Sequence, residues 1–287
     1  MNSVMNGSAG AQAKETIGLI AGGGQFPLLI AEAAKRKGFG LVAVAHLGET
    51  DPSLSNKVDE IVWIKLGQLG HLIRTFKKNR VKKSLMAGTI KKRRMFENIR
   101  PDVKGLALMS KLAIFHDDGI LRGVADELAR EGIEIISSTQ YLPELLASPG
   151  CLTRRKPTKS EREDMDFGFT MAKELGRLDI GQCVVVRNKT VLAVEAIEGT
   201  DATILRGGEL AIKNAVVVKV SKPHQDFRFD VPAVGLETVE VMARVKASAL
   251  AIEAEKTLIF DKAEMMSYAN GQHMTIMSMC PDAHVTD

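Results

Sequence analysis

The run Thr16-Ile-Gly-Leu-Ile-Ala-Gly-Gly-Gly24, continued by Phe26 to Lys35, decides the fold class of this chain. An apolar run with β-branched residues reads as a buried strand, three glycines as a turn, and the helical spacing after them as a helix. A strand, turn and helix of this kind opens a parallel sheet, because the chain must cross back over the sheet before the next strand. Working outward, Gly40 to His46 and Asp59 to Lys65 read as strands, Gly67 to Lys77 as a helix and Lys83 to Ala87 as another buried strand. The alternation predicts a Rossmann-like parallel sheet.

Ligands of such sheets gather beyond the carboxyl ends of the strands, where Gly22, Gly23, Gly24, Gly88 and Thr89 fall. Glycines there let backbone approach a ligand closely, and the next helix presents a positive N-terminus to phosphate. The pattern departs from the GxGxxG fingerprint, since Phe26 and Pro27 follow the glycines. No acid stands about 20 residues on to hold an adenosine ribose. A nicotinamide cofactor is therefore disfavoured.

Gly105 to Phe115 reads as a helix, leading through His116-Asp-Asp-Gly119 into a second helix, Ile120 to Glu131. Asp117 or Asp118 suits its N-cap, and a site role would account for the pair. Ile133 to Ser138 reads as the last strand of the first domain. Ser148 to Thr158, polar, basic and interrupted by two prolines, has the composition of a connection. The expected division is a disordered leader at 1–15, a Rossmann-like domain at 16–147, a linker at 148–160 and a C-terminal catalytic domain at 161–287. In the last, a helix over Glu161 to Leu175 ends at Gly176, and a hairpin pairs Cys183 to Val186 with Thr190 to Ala196. Strands at Ala215 to Val220, Ala249 to Glu253, Thr257 to Phe260 and His273 to Met279, with a helix from Leu236 to Val245, make it a second α/β domain of mixed sheet.

Composition narrows the function. The chain has 287 residues and a net charge of +4, and its longest apolar runs fall far short of the roughly 20 residues of a membrane helix. The N-terminus lacks the basic start and apolar centre of a signal peptide, so a cytoplasmic protein is expected. Cys151, Cys183 and Cys280 have no disulfide or zinc spacing and read as ordinary thiols. A basic band from Arg74 to Arg94 calls for an anionic neighbour or a solvated face, but few aromatics lie near it to stack bases, which argues against nucleic acid. Met265, Met266, Met274, Met277 and Met279 read as core filler.

The chemistry points to Lys222-Pro-His-Gln-Asp-Phe-Arg-Phe-Asp-Val-Pro-Ala-Val-Gly235. Two prolines constrain a loop carrying Asp226, Arg228 and Asp230. If the loop is extended, these three share one face and Phe227 and Phe229 the other, giving an acid-arginine-acid surface; the alternative is a solvated turn with a local ion pair. Glu195-Ala-Ile-Glu-Gly-Thr-Asp201 likewise leaves the end of a strand, a rigid place from which to present chemistry. His224 reads as incidental.

Together the Ala21-Gly-Gly-Gly24 turn, Asp117-Asp118, Gly176-Arg-Leu-Asp-Ile-Gly-Gln182, Glu195 to Asp201 and Arg228-Phe-Asp-Val-Pro232 resemble the UDP-2,3-diacylglucosamine pyrophosphatases of the LpxI type. The resemblance runs from about Ile17 to about Met279 and is most specific over Gly176 to Asp201. It implies two domains enclosing the ligand and magnesium-dependent hydrolysis of UDP-2,3-diacylglucosamine to UMP and 2,3-diacylglucosamine 1-phosphate in lipid A biosynthesis of Gram-negative bacteria. It places the essential acid of the Arg-x-Asp-x-Pro motif on Asp230. On this reading Asp230 ligates magnesium or orients water with Glu198 and Asp201 in support, and Arg228 faces the diphosphate. Asp117, Asp118, Gln182 and Thr200 join the glycines as substrate-binding residues. A homodimer, transient contact with the inner face of the inner membrane, and an apolar chamber to which Leu106 to Phe115 contribute are further implications. The competing classes are a nucleotide-sugar or NAD(P)-binding oxidoreductase and a noncatalytic nucleotide-binding module.

Overall fold

The computed structural model describes residues 14–90, 99–111 and 117–280. Most of the expected leader, the run Lys91 to Arg94, residues 112–116 and the side chains of Lys111, Asp117 and Asp118 lie outside the described residues. The chain forms two compact units, Met1–Tyr141 and Leu142–Asp287.

In the first unit, β1 (Thr16–Ala21), β2 (Gly40–His46), β3 (Glu60–Ile64), β4 (Lys83–Ala87) and β5 (Glu134–Ile135) form a parallel sheet in the order β3-β2-β1-β4-β5. The inner strands are continuous apolar runs because helices cover both faces of such a sheet. Helix α1 (Phe26–Arg36) buries Phe26, Ile30, Ala33 and Ala34, and α2 (Leu69–Lys78) buries Leu69, Leu72, Ile73 and Phe76, each at the spacing of one helix face. Gly18 lets α2 come close: a Cβ there would meet the Phe76 ring at 2.6 Å. Helices α3 (Val103–Lys111) and α4 (Asp117–Arg130) are tied by Lys104, whose ammonium bonds Glu127 at 2.8 Å and Glu131 at 2.7 Å. The expected strand Ile133 to Ser138 shrinks to Glu134–Ile135. It pairs only with Lys83 and Ser84, and Ser138 already starts a helical turn.

The second unit carries a mixed sheet of β6 (Gly150–Cys151), β7 (Cys183–Arg187), β8 (Thr190–Val194), β9 (Val216–Lys219), β11 (Ala249–Glu253) and β13 (Thr275–Met279) in the order β6-β13-β11-β9-β7-β8. β10 (Ala233–Val234) and β12 (Leu258–Ile259) form a small parallel pair of their own. Helix α5 (Lys159–Arg177) starts at a reciprocal Thr158 and Glu161 cap and packs Met165, Phe169 and Ala172 on Val184, Val186, Val216 and Val218. Each fully buried valine of this kind stabilises the fold by about 1.5 kcal/mol. Helices α6 (Thr200–Ala211), α7 (Leu236–Arg244) and α8 (Lys262–Gly271) belong to the other main cluster, with Ile204, Val239, Met242 and Met265 at its centre.

Three expectations change. The stretch 148–160 is not a free connection, because Gly150–Cys151 pairs with β13 and Arg155 bonds both Glu161 (2.6 Å) and the Thr275 hydroxyl. Prolines and basic residues mimic a linker, but here they feed an edge strand and a helix cap. Helix α6 has no sequence signal because Gly207 and Gly208 interrupt it. Those glycines are needed for packing, since a Cβ on Gly207 would meet Val185 at 2.5 Å and one on Gly208 would collide with Val245. Helix α8 is a further addition to the expected elements; Met265 within it is fully buried, consistent with the methionines as core filler.

Candidate active site

The segment after β9 is a turn, not an extended strand. The Asp226 carbonyl accepts from Phe229 N–H at 3.2 Å and Asp230 N–H at 3.0 Å, which removes the expected alternation of faces. Arg228 instead folds back on Asp226: Nε lies 2.9 Å from Oδ1, Nη2 lies 2.5 Å from Oδ2, and the guanidinium sits 5.6 Å from the Phe229 ring. A planar fork on a carboxylate is the geometry that a phosphate would also satisfy. Asp230 Oδ2 accepts from Gln225 Nε2 at 2.7 Å, and Gln225, 7% exposed, accepts the Lys222 N–H through Oε1 at 2.7 Å. The buried amide thereby fixes where the Asp230 carboxylate points.

Behind the turn lies a network that sequence reading missed. Glu253, fully buried at the end of β11, accepts from Ser221 N–H (2.8 Å), Ser221 Oγ (2.7 Å), Lys173 Nζ (2.6 Å) and Lys256 Nζ (2.8 Å). Burial raises the Glu253 carboxyl, but the lysine and serine donors outweigh it and hold the group below its ordinary range. For Lys173 burial is the larger effect and lowers the ammonium despite Glu253. The two shifts favour opposite charge states for the pair; Glu253 is the firmer anchor because every donor converges on it. The one available signal was an acid ending an otherwise apolar strand.

The two acid-bearing loops meet at Gly176–Gln182. Lys222 Nζ bonds Asp179 at 2.5 Å, and Val220 N–H donates to Gln182 O at 3.0 Å. On the other side Gln182 N–H donates to Glu195 Oε2 at 3.2 Å, and Thr200 Oγ1 donates to Glu195 Oε1 at 2.8 Å. Gly181 is required there, since any Cβ would collide with the Glu195 carbonyl. Gln182 Oε1 is buried with no hydrogen-bond partner among the described residues. The glycine-bearing motif is thus the joint between loops.

The expected metal set does not assemble. Among the described residues no three acids, cysteines or histidines come together to hold a cation. Glu198 is engaged by Arg206 at 2.6 Å, and its own backbone N–H with that guanidinium holds its carboxyl below the ordinary range. Asp201 stands in the first turn of α6, and Thr200 is occupied by Glu195. Cys183 is inert: burial pushes its thiol far up.

In the first unit the glycine turn is a strut. Gly22 N–H donates to Ala87 O at 2.8 Å, and Gly23 and Thr89 exchange backbone bonds of 2.7 and 3.1 Å. The N–H groups of Gly22 and Gly23, expected as donors to a ligand, are engaged inside this bridge. The glycines are needed because backbone meets backbone: a Cβ on Gly22 would lie 2.7 Å from Thr89 O, and Gly88, at φ 89°, faces Gly23 O. Beside the bridge a cavity of about 1050 Å³ is lined by Gly24, Gln25, Glu49, Asp51 and Trp63 among others. Glu49 and Asp51 stand on the turn that follows β2, which ends at His46.

Both halves of the chain have counterparts among known proteins. The model of the LpxI N-terminal domain matches residues 16–145, and that of the LpxI C-terminal domain matches 148–277. A Caulobacter vibrioides protein, UDP-2,3-diacylglucosamine pyrophosphatase LpxI, is 32% identical over 276 residues, covering 92% of this chain and 98% of that protein. Among solved structures, N5-carboxyaminoimidazole synthetase from Staphylococcus aureus complexed with ADP reaches a TM-score of 0.29 at 16% identity, over 60% of this chain and 33% of that one. A biotin carboxylase complex from Campylobacter jejuni reaches 0.28 at 12%, over 69% and 42%. Likeness that slight has no bearing on the site. With the two domain models together matching residues 16–145 and 148–277, and the relative aligned over nearly its whole length, this chain belongs to the LpxI family.

Proposed function

We propose that the chain hydrolyses the pyrophosphate of UDP-2,3-diacylglucosamine, releasing UMP and 2,3-diacylglucosamine 1-phosphate for lipid A biosynthesis. Family membership supports the reaction. The observation that carries the site is the Gln225-held Asp230 on a turn anchored by Glu253. The oxidoreductase and noncatalytic readings have no comparable support.

In this reaction a water oxygen bonds to one phosphorus, the bridging P–O bond breaks, and the bridging oxygen leaves on the other phosphate. Asp230 orients the water and takes its proton. Arg228 transfers its fork from Asp226 to the diphosphate and meets charge developing on phosphoryl oxygens. Asp226 is the carboxylate that holds Arg228 in place before substrate arrives. Gln182 contacts the substrate; Glu198, held by Arg206, does not ligate the metal. Asp230 would hold a magnesium ion as a single hard oxygen donor from the protein, the kind of ligand magnesium takes. When bound, the ion would neutralise charge on the diphosphate.

The acyl chains require apolar surface, and Leu106 on α3 is 61% exposed, which suits contact with lipid. No helix among the described residues is long and apolar enough to cross a membrane, so such contact is peripheral. The reading also places the protein in the cytoplasm as a homodimer. The test is release of UMP from UDP-2,3-diacylglucosamine by the purified chain with magnesium, its loss on adding EDTA and its return with excess magnesium. Absence of UMP release under any divalent ion overturns the reaction; release indifferent to EDTA overturns the metal alone.

A further inference from the structure

The turn that carries Asp230 is held at both of its feet. At the far foot Lys219 Nζ donates to Ala233 O at 2.8 Å, and Leu258 N–H donates to Pro232 O at 2.8 Å. At the near foot stands Ser221, 2% exposed, and the ion pair of Lys173 and Glu253 takes each of its polar groups. Its N–H and its Oγ both donate to Glu253 Oε2, while its carbonyl accepts from Lys173 Nζ at 2.9 Å and its Oγ lies 3.2 Å from the same ammonium. The next residue carries the constraint forward: Lys222 N–H donates to Gln225 Oε1, and the amide nitrogen of Gln225 donates to Asp230 Oδ2. A continuous series of bonds therefore runs from Lys173 on α5 and Glu253 on β11 to the Asp230 carboxylate.

Stability alone does not explain the pair. Desolvating two buried charges offsets most of their attraction, and apolar side chains of similar volume often serve a core at least as well. β11 is otherwise apolar, and Glu253 comes at its last position, beside the point where its neighbour β9 gives way to the turn. Lys256 pairs with Oε1, the oxygen that Ser221 does not use, so Lys173 is the cation that grips the turn itself. We propose that Lys173 and Glu253 are positioning residues for the hydrolysis, fixing the Asp230 carboxylate through Ser221 and Gln225, an assignment that rests on Asp230 being the acid of that reaction.

Lys173→Met separates this role from a structural one, because it frees the Ser221 carbonyl while Lys256 still neutralises Glu253, so no buried charge is left unpaired. Measured well below its thermal midpoint, the variant should release UMP from UDP-2,3-diacylglucosamine with kcat down about tenfold and KM unchanged, since a misplaced catalytic group is felt in the transition state. In an Asp230→Asn background the same change should cost less than about twofold, because the group being positioned is gone. Glu161→Gln is the structural control: it weakens the buried contacts with Arg155 and Ser248 at the start of α5 and should lower the midpoint with kcat kept. Should Lys173→Met fail to fold, Ser221→Ala removes the hydroxyl alone and should give the same pattern at about threefold. A kcat within about twofold of wild type, an equal loss in the Asp230→Asn background, or an equal loss in Glu161→Gln overturns the positioning role and leaves the hydrolase reading intact. No UMP release by the wild type overturns both.

Discussion

The glycine bridge after β1 and the acid turn after β9 occupy equivalent places, each just beyond the carboxyl end of a central strand, yet they are built in opposite ways. The first closes on backbone alone, Gly23 against Thr89, with no charged side chain in the bond pattern. The second is held through side chains: Gln225 on Asp230, Arg228 on Asp226, and Ser221 on Glu253. Backbone closure leaves nothing for chemistry and instead sets the edge of a cavity. Side-chain closure fixes groups that can exchange partners when a charged ligand arrives. A glycine-rich turn is therefore weak evidence of phosphate binding until its N–H groups are accounted for.

The sharpest break in this comparison is Asp230→Asn. It should lower kcat by about 100-fold or more, roughly 3 kcal/mol of barrier, while the thermal midpoint and UMP binding stay put. Turnover within about threefold of wild type would remove Asp230 from the chemistry. On the glycine side the effect should be on stability. Gly88→Ala places a Cβ against Gly23 O at a positive φ and should cost about 3 kcal/mol in urea unfolding. Gly199→Ala, at φ 86° with nothing within 4 Å, should cost only about 1 kcal/mol. Equal losses would mean that strain, not collision, governs both sites.

Gln225→Ala should reduce kcat about tenfold with KM unchanged, the signature of a residue that positions Asp230. A rise in KM alone would assign it to binding.

The smallest expected effect is with pH. Burial lowers the pKa of His46 below its ordinary 6.5, so as pH falls through 6.5 the unfolded chain binds a proton that the folded one refuses, and stability drops. Glu161 is raised by burial, but Arg155, Ser248 and the Thr158 N–H more than offset this. Its pKa ends below 4.5, and its contribution is lost only as pH falls below that value. Urea midpoints read at Trp63 should therefore begin to fall near pH 6.5, and His46→Gln should remove that first step. A midpoint unchanged down to pH 5 would mean that His46 is solvated.

Much of the parallel sheet is legible in the amino-acid sequence because a strand buried on both faces has to be a near-continuous apolar run, and β1 and β2 are such runs. Helix α6 is not legible there, since Gly207 and Gly208 weaken every local signal for the sake of contacts with Val185 and Val245 from distant parts of the chain. Asp230 stands out through its motif, whereas Gln225 and Glu253 do not: a glutamine and a glutamate reveal nothing until their burial and the direction of their oxygens are known. Periodicity and motif are properties of neighbouring residues, so the alternation of elements and the family can be read along the chain. That Gly22 and Gly23 close a backbone bridge to Ala87 and Thr89, that Glu198 belongs to Arg206, and that Glu49 reaches a cleft were settled by packing in three dimensions. Each of those depends on which partner satisfies a polar group, and the folded chain brings that partner from outside the motif itself.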